Sequence, residues 1–164
     1  MNCEIRHLQE QDWELWKEIR LEALKLHPEA FTSSYEEEYL WVDEDFKQNL
    51  VKSDIFGAFF NNSLVGVAGF FIVERQKLKH RGLLFAFYVQ KESRGQGVAD
   101  RLLTTITDHA RQRALQLHCS ANAENESALK LYQKHGFQIY GTVPRSLKVG
   151  ETFYDEHLMV LNFD

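Results

Sequence analysis

Cysteine, proline and methionine are scarce: two of each in 164 residues. Cys3 and Cys119 stand far apart, with no Cys-x-x-Cys and no His/Cys pair at zinc spacing. Neither a disulfide framework nor a metal site is indicated, and both thiols read as buried and reduced. So little proline argues against a linker or a disordered chain. Long apolar runs are missing too. The longest, Leu64 to Val73, has ten residues including two Gly, far short of the roughly 20 that a membrane helix needs. Glu4, Arg6, Glu10, Asp12 and Glu14 leave no apolar leader near the start. There is no excess of positive charge either: the net of −5 and a pI near 5.8 disfavour a general nucleic-acid binder. The expectation is a soluble cytoplasmic protein with no membrane or nucleic-acid partner.

What the chain does have is a substantial core. Hydrophobic residues make up 44%, with twelve Phe and six Tyr. Domains commonly run about 100–200 residues, so one domain over 1–164 is expected. A chain of this size buries roughly 70% of its unfolded surface and needs no covalent staple. The charge is unevenly spread. Residues 1–54 hold 14 acidic and 6 basic side chains, residues 55–120 hold 4 and 9, and residues 121–164 hold 6 and 4. Such a split is either ordinary surface variation or the trace of a cationic and an anionic ligand on neighbouring elements.

The periodicities predict an alternating strand over 2–8, then a helix capped by Asp12 that carries Trp13, Trp16, Ile19, Ala23 and Leu24 and ends by Pro28. Asp43 is expected to cap a second helix through Val51. Residues 55–60 and 64–73 flank Asn61-Asn62-Ser63, a hairpin signal. A third strand over 83–89 follows the basic stretch 75–81. After Arg94-Gly95-Gln96-Gly97 comes a helix with Val98, Leu102, Ile106 and Ala110 on one stripe. A strand over 115–121, a helix over 125–135 stopped by Gly136, and strands over 137–143 and 152–161 complete the chain. The PRSLKVG segment between those last strands reads as a connection. The class is mixed α/β.

The most informative stretch runs from Phe87 to Ala99: a strand, a glycine-rich turn and an amphipathic helix in direct succession. Glycines let a ligand approach the backbone. A helix start leaves N–H groups without partners, and its dipole adds positive potential, so the turn suits a pyrophosphate, with Arg94 at its rim. It is not a Walker loop, since no Gly-Lys-Ser/Thr follows, nor a dinucleotide fingerprint, since Asp100 stands where a third glycine belongs. Further on, Asn125, Ala128, Leu129 and Tyr132 fall on one helical face. Ala128 leaves room for a ligand, Asn125 offers an amide, and Tyr132 offers a hydroxyl one turn later.

Arg94-Gly95-Gln96-Gly97-Val98-Ala99, preceded by Tyr88-Val89, together with Asn125-x-x-Ala128-x-x-Leu131-Tyr132-x-x-x-Gly136-Phe137, resembles the GNAT superfamily of N-acetyltransferases. The closing Tyr154-Asp155-Glu156-x-Leu158-Met159 is similar as well. The resemblance implies a single-domain α/β acyltransferase fold, with a mixed, mostly antiparallel sheet whose central parallel strands splay apart, flanked by helices. It implies acetyl-CoA as cosubstrate and no metal. The pantetheine arm is expected along Phe87, Tyr88 and Val89, the pyrophosphate on the amides of 94–99, Asn125 and Ala128 beside the arm, and Tyr132 near the sulfur.

The chemistry asked of those groups is plain. An alkyl ammonium, of pKa about 10.4, must lose a proton before nitrogen attacks a thioester. The carbonyl oxygen gains charge and needs an N–H donor, for which the amide of Val89 is a candidate. The leaving thiolate is protonated, for which Tyr132 is the candidate acid. Direct transfer is expected rather than a Cys relay, because neither Cys has an evident activating base. The strand 83–89 carries no acid or His, so Glu74, His118, the acidic run Glu36–Glu38 and a water chain held near Ser120 are the candidates for the base. The acceptor is expected to be a small amine, with a cationic one as a candidate, walled by segments 25–45 and 143–157, with Phe31, Tyr35, Trp41 and Tyr154 as candidate aromatics. A protein N-terminus or Lys side chain is the alternative acceptor, and a non-catalytic CoA sensor the alternative of another class. A homodimer is in keeping with the resemblance.

Overall fold

A computed structural model describes residues 2–164. Its elements are β1 (Cys3–His7), α1 (Trp13–Leu26), α2 (Tyr35–Glu38), α3 (Asp43–Lys52), β2 (Asp54–Phe60), β3 (Ser63–Ile72) and β4 (Arg81–Val89). They continue with α4 (Val98–Arg111), β5 (Gln116–Asn122), α5 (Glu126–Lys134), β6 (Gln138–Val149) and β7 (Thr152–Asn162). The strands form one sheet in the order β1-β2-β3-β4-β5-β7-β6. Neighbours run antiparallel except β4 and β5, which are parallel. This is the mixed, mostly antiparallel α/β sheet expected, with the parallel pair near its middle.

Two apolar layers fix the helices to the sheet. Trp16, Ile19 and Ala23 recur at helical spacing on α1 and pack with Phe46 and Leu50 of α3 against Ile55, Val67, Ala86 and Tyr88. On the other layer, Leu102, Leu103, Ile106 and Ala110 of α4 meet Ala68, Phe70, Leu117 and Met159. Each large side chain among these contributes roughly 1.5–3 kcal/mol by leaving water. The β2–β3 turn is the two-residue Asn61-Asn62, both in the left-handed region (φ 50° and 68°), where asparagine is tolerated and strand twist is matched. No described helix is long and apolar enough to cross a membrane.

Three local expectations are corrected. Asp12 occupies the position before α1, but its carboxylate accepts from Arg6 at 2.9 Å and from the Gln9 amide at 2.7 Å rather than capping the helix. Asp43 is the first residue of α3, not its cap; Asp45 reaches back to the Val42 amide at 3.0 Å instead. The stretch 144–149 is strand rather than connection, because β6 resumes pairing with β7 at Leu147↔Tyr154 after an irregularity, leaving Gly150 and Glu151 as the turn.

The feature that positions the site is a bulge in β4. Val67 pairs with Tyr88 and Gly69 with Phe85, so one extra residue of β4 sits in that interval. Ala86 takes φ 55°, a left-handed conformation that costs a non-glycine residue about 1–2 kcal/mol. The extra residue swaps the faces of the strand. Leu84 packs on the α4 layer, Phe85, Ala86 and Tyr88 on the α1 layer, and Phe87 and Val89 return to the α4 layer. From Leu84 onward, through the bulge and past it, β4 has no parallel partner. Pairing with β5 covers only Arg81↔Gln116, Gly82↔Leu117 and Leu83↔His118. β5 meanwhile stays on β7 as far as Asn122↔Glu156. The two central strands therefore part company and open a wedge.

Candidate active site

The wedge is a cavity of about 620 Å³, within the range of small-molecule sites. One side is Phe87, Tyr88 and Val89 from β4; the other is Ser120, Ala121 and Asn122 from β5, with Ala128, Leu131 and Tyr132 of α5 above. A smaller cavity of about 180 Å³ adjoins it, lined by Arg20, Phe85, Cys119 and Glu156 among others. Ala30, Phe31, Phe87, Ser120 and Tyr132 line both. The two spaces are thus halves of one passage, with Tyr132 and Phe87 at its neck, their rings edge to face at 6.1 Å.

The outer half leads to the start of α4. Gly95 and Gly97 have φ of 76° and 81°, and an added Cβ at either would meet nothing within 4 Å. They are glycines for their backbone conformation, and the space above them is open. The first helical bond is Arg101 N–H to the Gly97 carbonyl at 3.1 Å. Among the described residues, none of the amides of 95–100 donates to a protein acceptor. That row of donors at the positive end of a 14-residue helix is suited to an anion. Arg94 stands beside it, folded so that Nε donates to the Val89 carbonyl at 3.0 Å and the guanidinium lies 3.3 Å from His27 Nε2.

The expected binding residues divide into two groups. Phe87, Tyr88, Val89, Arg94, Ala99, Asn125 and Ala128 line the larger cavity. Gly95, Gln96 and Gly97 lie outside its lining and offer backbone only; Val98 turns its side chain into the core. Asn125 caps its own helix. Its Oδ1 caps α5 by accepting from the Ala128 amide at 3.2 Å and from the Ser127 hydroxyl at 3.1 Å, leaving its NH2 for the cavity. The Tyr88 hydroxyl is already engaged, donating to Glu22 at 2.7 Å. Burial, reinforced by that bond, raises its pKa.

Tyr132 is different. It is 7% exposed, and among the described residues its hydroxyl makes no hydrogen bond. Burial, with a smaller contribution from Cys119, raises its pKa, so the phenol stays a proton donor across the neutral range. Burial likewise pushes the Cys119 thiol up to about 12, which leaves too little thiolate for a covalent relay.

Neither named candidate for the base reaches this passage. Glu74 is exposed past the end of β3, beside the start of β4, while the wedge lies at the other end of that strand. His118 sits where β4 and β5 are still paired. Its Nε2 accepts from Arg81 Nε at 3.2 Å, and burial together with Arg81 and His80 lowers its pKa. In the acidic run, Glu38 is buried and holds Arg20 through two bonds of 3.0 and 3.1 Å, so it is an ion-pair partner and not a solvated face. Of the candidate aromatics, Phe31 and Tyr154 reach the passage, whereas Trp41 packs on Phe46 and Tyr35 stacks on Tyr39. The acid that does line the smaller cavity is Glu156. Its signal in the sequence was the alternation of β7, which puts Tyr154 and Glu156 on one face. Among the described residues, no group of three or more His, Cys, Asp and Glu is arranged to hold a metal.

The acetyltransferase (GNAT) family model matches residues 16–137. No curated protein matches the chain by sequence. Solved structures resemble it over nearly their whole length. An acetyltransferase of the GNAT family from Streptococcus pneumoniae is 24% identical with a TM-score of 0.86, over 98% of this chain and 99% of that one. An N-acetyltransferase from Staphylococcus aureus Mu50 is 24% identical with a TM-score of 0.82, over all of both chains. The yncA protein of Salmonella typhimurium, solved with its cofactor acetyl-CoA, is 19% identical with a TM-score of 0.82, over 100% and 95%.

Proposed function

The chain belongs to the acetyltransferase (GNAT) family, and on that premise we propose that it moves an acetyl group from acetyl-CoA to the primary amine of a small cationic acceptor, by direct attack in a ternary complex. The observation that carries this reading is the two-chambered passage, with Tyr132 and Phe87 lining both halves. A large outer half that ends at free helix-start amides suits the long anionic donor. A small inner half suits a small acceptor.

The residues fit the donor. The amides of 95–100 and Arg94 would hold the pyrophosphate, the opened edges of β4 and β5 would hold the pantetheine arm, and Asn125 would donate to it. Bound acetyl-CoA supplies an activated acyl carbon and a thiolate leaving group. Tyr132, kept protonated by burial, holds its proton on the phenolic oxygen facing the neck and donates it to the departing sulfur. The amide of Val89 is the candidate donor to the carbonyl oxygen. Phe31, Phe87 and Tyr132 exclude water from the neck.

The size of the inner half, about 180 Å³, favours a small amine over a protein chain. A protonating hydroxyl at the neck favours an enzyme over a CoA sensor. Two buried, unpaired thiols, Cys3 and Cys119, support a reducing compartment such as the cytoplasm. The test is release of free CoA thiol from acetyl-CoA with a panel of amino acids, polyamines and amine-bearing antibiotics, beside peptides with free N-termini or Lys. Turnover of a small amine is the expected result. Peptide turnover alone refutes the acceptor class, and tight acetyl-CoA binding with no turnover favours the sensor.

A further inference from the structure

Glu156 is 8% exposed and faces the inner half of the passage, which Tyr132 and Ser120 also line. The Ser146 hydroxyl donates to its Oε1 at 2.6 Å, and Oε2 has no protein partner among the described residues. No Lys, Arg or His forms an ion pair with it among those residues. Its unpartnered oxygen is not sealed in the core, and the residue lines the cavity wall.

The other charged group on this wall, and the amide opposite, are already committed. Arg20, the second charged residue on this wall, is held in two bonds by Glu38, which cancels its charge locally. Asn122, opposite Glu156 in the β5–β7 ladder, spends its side chain on the Glu29 carbonyl and the Glu124 amide, both at 2.9 Å. Cys119 and Tyr132 are kept neutral by burial. The inner half therefore presents one uncompensated negative charge, anchored through one oxygen and open at the other. An ammonium is its complement.

We infer that Glu156 receives the acceptor's ammonium group and takes its proton; this rests on the acetyl-transfer reading above. The step balances. One N–H proton passes to Glu156, the nitrogen lone pair forms the C–N bond, and the C–S bond breaks with its electron pair on sulfur. Tyr132 gives its proton to sulfur and recovers the second nitrogen proton. Ammonium and thioester thus become amide and free thiol, and Glu156 returns one proton to solvent.

The test is Glu156→Gln, which keeps the volume and the acceptor for Ser146, with acetyl-CoA affinity and the pH profile of acceptor kcat/KM as readouts. The expected result is unchanged acetyl-CoA affinity and a 10²–10⁴-fold loss in kcat/KM near pH 7. The loss should shrink as pH approaches the acceptor's own pKa of about 10, where free amine no longer needs a base. Should Gln fail to fold, Glu156→Asp carries the test: a lower rate with a wild-type pH profile supports the role, and an unchanged rate overturns it. A wild type that turns over while Glu156→Gln matches it at every pH overturns this assignment alone. A wild type that neither binds acetyl-CoA nor releases thiol fails the reading beneath it and takes the assignment with it.

Discussion

Replacing Tyr132 by Phe removes one oxygen from the neck of the passage and leaves the ring. The structure permits the consequences to be separated. The residue is only 7% exposed, its ring packs against Phe87 and Phe137, and those contacts survive. The hydroxyl has no protein hydrogen-bond partner among the described residues, so deleting it strands no donor or acceptor. The usual penalty of about 1–3 kcal/mol for a broken buried bond therefore does not arise. Stability is expected to hold or rise slightly. Acetyl-CoA affinity is expected to stay within about twofold, because the pyrophosphate cradle and Asn125 lie elsewhere. Turnover is expected to fall 10²–10⁴-fold, the range for losing a positioned acid. The pH behaviour adds a second check with a definite sign. The raised pKa keeps the phenol protonated past the ordinary tyrosine value of about 10, so wild-type kcat should show no alkaline decline from this residue up to that pH. The assays are stopped thiol release for kcat, calorimetry for acetyl-CoA, and thermal unfolding. A Phe variant with wild-type kcat refutes the acid role, whereas one that loses affinity and Tm in step with rate marks Tyr132 as structural.

Gly97→Asp places a side chain at φ 81° and a negative charge among the free amides; backbone strain of about 1–2 kcal/mol is expected, with acetyl-CoA binding abolished well beyond that, and calorimetry showing retained affinity would refute the cradle. Glu38→Gln strands Arg20 in a site where the two side chains are only 10% and 4% exposed, so unfolding should show a loss of about 3–5 kcal/mol, while replacing both by apolar residues should cost far less. Arg6 lowers the pKa of Asp12 mainly through their hydrogen bond. The stability this adds is present above the unfolded carboxylate value of about 3.9 and is lost as pH falls through the lower folded value. Arg6→Met should therefore remove it at neutral pH and flatten that part of the acid-unfolding profile, and an unchanged profile would refute the coupling.

Much of the passage's outer half is legible from short-range pattern. Gly95 and Gly97 between a strand and an amphipathic helix announce an anion turn, since backbone conformation and helix polarity are local. Asn125, Ala128 and Tyr132 share a helical face by spacing alone. The inner half is not legible in this way. His118 and Glu74 are candidate bases by residue type, yet each lies at the paired end of β4, and nothing in their own segments says where β4 and β5 separate. Glu38 looked like one of three solvated acids, and only the packing of α2 beside α1 brings it onto Arg20. Asp residues before an apolar stripe signal helix caps, but the Asp12 carboxylate is taken by Arg6 of β1 and the Gln9 amide, and α3 begins at Asp43 itself, one residue earlier than a cap there would require.

Short-range pattern along the chain was enough for the α/β class, the order of the strands and of the longer helices, the glycine turn and the helix that carries Tyr132, though not for the four-residue α2, because periodicity, turn chemistry and helix starts are settled within a few residues. The tertiary structure alone decided that Ala86 adopts a left-handed bulge, that Phe87 consequently faces Tyr132, and that Glu156 on β7 looks into the same space as Arg20 on α1. The face a strand residue presents depends on the register of its neighbours. One extra residue in β4 reverses every side chain beyond it, and no count along the chain reveals where that residue falls.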